Sequence, residues 1–296
     1  MKQGVEDSWT SLKREFKIQS ASMDELMELT GLQQVKLEAI KTVQKLLLDQ
    51  QLKKQQRVVT TCMYCSFAFM GNPGTGKTIV ARLFGKILHE IGMRKTANFV
   101  ETTGQQLVLN GAIKADVTIQ SAMDGVLFID EAHSLDSKSN RAEGWAIITK
   151  LLKTAEDQRD RITIILAGCQ DEIEGKLYAA DQGFQSRFHD IVFPDYTEAE
   201  LRTIFVDFIH ELEWQLAAED PKLPDVVARR IARGRNRKGF ANAKTVRSLV
   251  GNSINASILR QGKGAKPVLK IIDCLGQRPD RKTFQNCKKR WMSFRE

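Results

Sequence analysis

Gly71-Asn72-Pro73-Gly74-Thr75-Gly76-Lys77-Thr78 lies between an apolar run, Phe67-Ala68-Phe69-Met70, and a stretch with helical spacing. In that stretch, Thr78 to Ile91, the residues Ile79, Leu83, Ile87 and Leu88 fall on one side of a helix. The octapeptide fits G-x-x-x-x-G-K-[ST] at every defined position. A loop whose N–H groups point inward at a phosphate needs unusual dihedrals and no side chains in the way, which glycine supplies. The helix that starts near Lys77 adds the positive end of its dipole. Strand, glycine loop and helix in that order are the context in which the motif binds a nucleotide. Lys77 is then placed to reach the β- and γ-phosphates of ATP, and Thr78 to put its hydroxyl on Mg²⁺. Gly71, Asn72, Pro73, Gly74, Thr75 and Gly76 form the cradle.

A second segment completes that site. Val126-Leu127-Phe128-Ile129 is a buried-strand pattern that ends in Asp130 and Glu131. Such a strand delivers carboxylates to its C-terminal edge, where parallel sheets bind ligands. Asp130 is expected to hold Mg²⁺, directly or through water. Glu131 is expected to orient or deprotonate the attacking water. Asp130-Glu131-Ala132-His133 also spells the DEAH box of some helicases. That reading needs a second lobe of the same kind, and Ser134 to Glu296 is too helical and too short to supply one. His133 is left without a role.

Outward from these motifs, strands and helices alternate. Thr60–Met70, Asn98–Glu101, Val126–Ile129, Ile162–Ala167 and Ile191–Phe193 read as strands, and Ala142–Ala155 reads as a helix. The fold class this predicts is α/β, a parallel sheet with helices on both faces. Leu26–Leu52 has helical spacing, with Leu37, Ile40, Val43 and Leu47 on one broad face. After Pro194 the pattern turns helical. Thr197-Glu198-Ala199-Glu200 has the form of a capping box, and helices are expected near Pro224–Arg233 and Ala241–Arg260 with no convincing strand between. The organisation expected is a polar leader over 1–22, a nucleotide-binding αβα subdomain over 23–194, a helical lid over 195–279 and a basic tail over 280–296.

Composition sets outer bounds. No stretch of about 18 uncharged apolar residues exists, which argues against a membrane span. Met1 to Lys17 has no apolar h-region, so an intracellular chain, cytoplasmic or nuclear, is expected. Five cysteines suit reduced thiols in that setting. Cys62-Met63-Tyr64-Cys65 lacks the second pair a zinc site needs, since Cys274 and Cys287 do not supply one at short spacing. The net charge of +9 is concentrated. Arg229, Arg230, Arg233, Arg235, Arg237, Lys238, Lys244 and Arg247 follow one another with no acid among them. Seven more Lys or Arg lie in the tail from Arg278. Such runs can mark nucleic-acid contact, but a solvated helix face with a few nucleotide-serving arginines is favoured.

Taken in order, several segments resemble the AAA+ ATPases, and more closely the CbbX/CfxQ group (stage V sporulation protein K-like). Gly31-Leu32-Gln33-Gln34-Val35-Lys36 is similar to its G-L-x-x-V-K. Ile165-Leu166-Ala167-Gly168-Cys169 resembles the strand that carries its sensor position. Gly183-Phe184-Gln185-Ser186-Arg187-Phe188 resembles G-L-x-S-R-F, and Phe240-Ala241-Asn242-Ala243-Lys244-Thr245-Val246-Arg247 resembles the lid motif F-G-N-x-R-x-V-R. Asp273-Cys274-Leu275-Gly276-Gln277-Arg278-Pro279 is similar to the closing D-x-L-G-x-x-P. The likeness runs from about Leu29 to Pro279.

The resemblance implies that Arg187 is an arginine finger reaching the γ-phosphate of a neighbouring subunit. A homo-oligomeric ring, a hexamer in the family, is then the working assembly, with tandem modules as the variant. It implies nucleotide contacts for Cys169 and for Lys244 or Arg247, and a protein substrate that hydrolysis remodels. Three departures stand out. Lys244 replaces an arginine and loses the planar fork. Cys169 is a poor hydrogen-bond donor at the sensor position. Leu109-Asn110-Gly111-Ala112-Ile113-Lys114, at the pore-loop position, has no aromatic. Three functions stay open: a ring ATPase that remodels a protein, an ATP-binding interaction module with little hydrolysis, and a nucleic-acid-stimulated motor.

Overall fold

The computed structural model describes residues 2–55, 65–136, 141–264 and 266–275. Cys62, Cys287, the first residues of the strand expected from Thr60, and everything after Leu275, including the basic tail, lie outside the described residues. The chain divides into two compact units, one of Met1–Asp195 with Asn236–Ala241, the other of Tyr196–Arg235 with Asn242–Glu296.

The first unit opens with three helices: α1 (Lys2–Phe16), α2 (Ala21–Glu28) and α3 (Gln33–Lys54). The segment expected to be a polar leader is helical, and it also has a core face. Val5, Trp9 and Leu12 are buried at helical spacing, and the Trp9 indole N–H donates to Asp24 at 2.7 Å. The helix expected over 26–52 is broken in two. Gly31 and Leu32 take left-handed φ values of 68° and 59°, which no helix can pass through. Lys36 closes the break. Its side chain is buried, and its ammonium donates to the carbonyls of Met27 at 2.9 Å and Leu29 at 2.5 Å, which the end of α2 leaves open.

The sheet follows: β1 (Phe67–Gly71), α4 (Lys77–Glu90), β2 (Phe99–Thr103), α5 (Gly104–Ser121), β3 (Val126–Asp130), a 3₁₀ turn (Ala132–Leu135), α6 (Arg141–Asp157), β4 (Thr163–Gly168), a short turn α7 (Gln170–Glu172), a π-helical turn (Ile173–Tyr178), α8 (Gly183–Arg187) and β5 (His189–Phe193). All pairings are parallel and the strand order is β2-β3-β4-β1-β5. Alternate residues of each strand serve opposite faces. Phe67 and Phe69 meet Phe84 of α4 edge-on, with ring centres 5.4 and 5.6 Å apart. Ala68, Met70, Leu127, Ile129, Ile164 and Leu166 turn the other way, into one core with Leu107 and Ile119 of α5 and Ile147 and Leu151 of α6. The sheet with helices on both faces is therefore as the sequence predicts. In α4 the stripe is rotated slightly from expectation: Leu83, Ile87 and Leu88 are buried with Val80 and Phe84, while Ile79 is 54% exposed.

The second unit holds α9 (Glu198–Glu211), β6 (Gln215–Leu216), α10 (Leu223–Ala232), α11 (Asn242–Gln261), β7 (Val268–Leu269) and α12 (Ile271–Leu275). The capping box forms as read: Glu200 N–H donates to the Thr197 hydroxyl, and the Glu200 carboxylate accepts from Thr197 N–H at 2.7 Å. The sequence reading contains no strand here, whereas β6 and β7 pair in parallel. Two residues per strand leave no alternation to detect.

If α1 belongs to the core of the first unit, Trp9→Ala removes a buried indole and costs about 3 kcal/mol. A urea titration with the same m-value and a lower midpoint is the expected result. An unchanged midpoint would show that α1 contributes nothing to stability.

Candidate functional site

Because every strand is parallel, their C-terminal ends share one edge, and register brings three of them together. Met70 lies opposite Gly168, Gly71 opposite Phe193, and Ile129 opposite Leu166. The loop after β1, the acids after β3 and Cys169 after β4 therefore emerge side by side, as crevices at such edges require. Gly71 allows the loop to start there: a Cβ at that position would sit 2.3 Å from the Phe193 carbonyl oxygen. Gly74 and Gly76 adopt φ of 72° and 93°, and Gly76 caps α4 from the left-handed region. The Thr75 hydroxyl, fully buried, donates to Asn72 O at 2.8 Å.

Lys77 is 9% exposed. Its ammonium donates to the carbonyls of Gly71 at 2.7 Å and Asn72 at 2.9 Å and pairs with no carboxylate among the described residues. Burial pulls its pKa below the ordinary lysine value, with Cys169, Asp130 and Asp195 acting in the opposite direction. A buried cation with no counter-ion favours an incoming anion. The residues here fit a polyphosphate with its magnesium. Thr78 in the first turn of α4 and Asp130 at the tip of β3 offer the hard oxygen donors that Mg²⁺ takes. The Thr78 hydroxyl makes no hydrogen bond to protein among the described residues.

Asp130 accepts from the N–H of Glu131 at 2.9 Å. Glu131 is exposed and holds φ 47° and ψ 43°, a left-handed backbone that costs a non-glycine residue energy. It opens the 3₁₀ turn. Gly104, the first residue of α5, abuts that turn: a Cβ there would lie 2.7 Å from the Glu131 carbonyl oxygen. His133, left unassigned by the sequence, is placed. Its Nε2 is 3.1 Å from the Glu172 carboxylate, while the buried Nδ1 has no partner among the described residues. Burial lowers its pKa, with Glu172 opposing. The Cys169 thiol is partly buried, and burial raises its pKa while Lys77 opposes; it stays a neutral thiol at neutral pH.

Asn72 does more than line the loop. Its side-chain amide donates to Asp195 at 3.0 and 3.2 Å and to the Arg237 carbonyl at 3.3 Å, and its amide oxygen accepts from Gly239 N–H at 3.3 Å. Asp195 also accepts from Asn236 N–H at 2.8 Å. The sequence reading gives Asp195 no role and names Arg237, Lys238, Phe240 and Ala241 without tying them to Asn72, which is 123 or more residues away.

The remaining expected residues have other neighbours. Arg187, at the end of α8, forms a two-pronged ion pair with Glu156 of α6 at 3.0 and 2.6 Å and donates to Gly183 O. Lys244 and Arg247 belong to α11 of the second unit. Lys244 is exposed, and the Arg247 guanidinium lies 4.8 Å from the centre of the Phe208 ring, a cation–π contact. The pore-loop stretch falls inside α5, where Gly111 breaks the helix at φ 77° and ψ 166°; Leu109, Ile113 and Val117 are 75%, 83% and 65% exposed.

Residues 67–193 match the family model described as "ATPase family associated with various cellular activities (AAA)". The chain is also 36% identical over 260 residues to the chloroplastic ribulose bisphosphate carboxylase/oxygenase activase of Cyanidioschyzon merolae, covering 85% of this chain and 86% of that one. It belongs to the CbbX/CfxQ family of AAA+ ATPases. Protein CbbX of Cereibacter sphaeroides, another member, is 34% identical over 240 residues, or 79% of this chain and 75% of its own. The fold is shared more widely. The AAA domain of FIGL-1, solved in complex with ADP, superposes with a TM-score of 0.59 over 88% of both chains at 14% identity. The chain is thus a nucleotide-binding ATPase of the P-loop class. Among its described residues no helix is long and apolar enough to cross a membrane, and no cluster of three or more His, Cys, Asp or Glu could hold a metal.

Gly71→Ala tests how tightly the loop is seated. The added methyl collides with Phe193 and is expected to cost about 1–3 kcal/mol in a denaturant titration without any nucleotide. Wild-type stability in that variant would show the loop free to move off β5.

Proposed function

We propose that the chain hydrolyses ATP with Mg²⁺ as a ring, most simply a hexamer, and uses the energy to remodel a protein partner. The observation that carries this reading is Lys77, a buried cation that among the described residues is bonded to main-chain carbonyls and to no carboxylate, next to the Asp130-Glu131 tip. The loop N–H groups from Gly74 to Gly76 and the Lys77 ammonium hold the β- and γ-phosphates. Thr78 and Asp130 hold the metal, which when bound neutralises charge on the phosphates. Glu131 orients the attacking water and takes its proton. The proposed finger, Arg187, exchanges Glu156 for the γ-phosphate of a neighbouring subunit. Its own ion pair is half-exposed and weak enough to exchange. Lys244 and Arg247 serve as lid cations. That a protein is the target follows from the family, whose member named above acts as an activase of another enzyme.

A second reading, an ATP-binding interaction module with little turnover, is favoured by Cys169. A neutral thiol donates hydrogen bonds poorly, so a water at the sensor position would be held loosely. The nucleic-acid reading is weaker: Arg229, the first of the basic run, is paired with Glu198 at 3.2 Å.

Lys77→Ala should abolish nucleotide binding in equilibrium dialysis, a loss of at least about 100-fold for a desolvated charge-assisted contact. Glu131→Gln should bind ATP as the parent does while turnover falls by about 10²-fold or more. Parental turnover in Glu131→Gln would remove the assigned base. Turnover in the wild type no greater than in Lys77→Ala, with tight ATP binding kept, would select the second reading.

For the ring, Arg187→Ala subunits titrated into wild type should lower activity by more than their mole fraction, because each poisons a neighbour's site. A decline in simple proportion would show that sites are not shared.

A further inference from the structure

The loop 236–241 joins α10 to α11 yet belongs to the first unit, and three of its main-chain groups are held by side chains of Asn72 and Asp195. Asn236 N–H is taken by Asp195, the Arg237 carbonyl by the Asn72 amide, and Gly239 N–H by the Asn72 amide oxygen. Asn236 and Gly239 take the left-handed φ values, 63° and 78°, that bend the loop there. Lys238 sits between two residues bonded to one side chain of the phosphate loop, so its Cα cannot drift from that loop. Its own side chain is exposed and makes no hydrogen bond or ion pair among the described residues. Lys238 also lies within electrostatic reach of the Cys169 thiol, as Lys77 does. Cys169 ends the strand next to β1. Two ammonium groups without a carboxylate partner among the described residues thus share the neighbourhood of the phosphate loop, an arrangement that an anion bound there would favour.

We propose that Lys238 is a further phosphate-binding residue, a second cation that the loop 236–241 presents to the terminal phosphate of the bound nucleotide. The inference rests on the nucleotide-site reading above. It supplies, from the first unit, a positive charge beyond those of Lys77 and of the α11 residues Lys244 and Arg247. A lysine suits the task because a compact ammonium on a flexible stem acts as a point charge without needing a fixed fork. The side chain takes no part in the anchoring, so replacing it leaves the loop in place.

The test is isothermal titration of Mg-ATP, Mg-ADP and adenosine into wild type, Lys238→Ala, Lys238→Arg and Lys238→Glu. The expected result is a graded loss. Lys238→Ala weakens ATP about tenfold and ADP about two- to threefold, leaving adenosine unchanged, because the charge acts on the outermost phosphate. Lys238→Glu weakens ATP further, and Lys238→Arg restores it to within about threefold. Raising salt narrows the gap between wild type and Lys238→Ala. Equal affinities for ATP in all four proteins would overturn the assignment. So would an equal loss for all three ligands that arginine fails to rescue, since that marks a structural residue. Failure of the wild type itself to bind ATP or ADP would strike the nucleotide site as a whole, and is distinguished from the other outcomes by appearing before any substitution.

Discussion

A lysine ammonium taken out of water and held by two main-chain carbonyls, with no carboxylate partner among the described residues, is the constraint around which the first unit is arranged. Neutral acceptors compensate a buried cation only in part. The Gly71 and Asn72 carbonyls must be aimed at Lys77, and that aim fixes the loop. Glycines at 74 and 76 supply the backbone angles, the Thr75 hydroxyl ties the loop to itself, and α4 begins where Lys77 does. The strand order then sets acids and a thiol beside that cation. An anion bound beside that cation would stabilise the arrangement by its binding free energy.

The fold was legible where local pattern and tertiary demand agree. Buried parallel strands need apolar runs, and Phe67–Met70, Val126–Ile129 and Ile162–Ala167 are such runs. Thr197 and Glu200 made the start of α9 readable because a capping box is a purely local device. The reading failed where the cause was distant or small. The break at Gly31–Leu32 is closed by Lys36, whose buried ammonium looks like a surface charge in the sequence. Trp9 reads as part of a polar leader because its neighbours are charged, although Val5, Trp9, Leu12 and Phe16 recur at steps of three and four residues. The two-residue strands β6 and β7 carry no period at all.

The candidate site divides in the same way. Residues of the phosphate loop and the acidic tip are contiguous in sequence and were read from it. Residues recruited across the chain were not: Asp195, Glu156, Glu172 and the loop 236–241 reach the site or its expected arginine only through the fold. The structure also gives physical content to one of the family departures and to one of the expected lid cations. Cys169 is partly buried and neutral, so its contribution is a weak donor beside a cation. Arg247 rests on an aromatic ring, so its charge comes with a stacking energy that any new contact must replace.

The close approach of Gly104 to the turn after β3 has a mechanical side. With no room for even one methyl between α5 and the Glu131 carbonyl, the two segments touch as hard surfaces. A sub-ångström push of the acidic turn toward α5 cannot be absorbed by side-chain rearrangement at that point, because glycine has no side chain to rearrange. From that contact α5 runs to Gly111, where its backbone leaves helical angles. The acidic turn and the exposed aliphatic residues around Gly111 therefore lie at the two ends of one short helical segment, with no compliant side chain at the first of them.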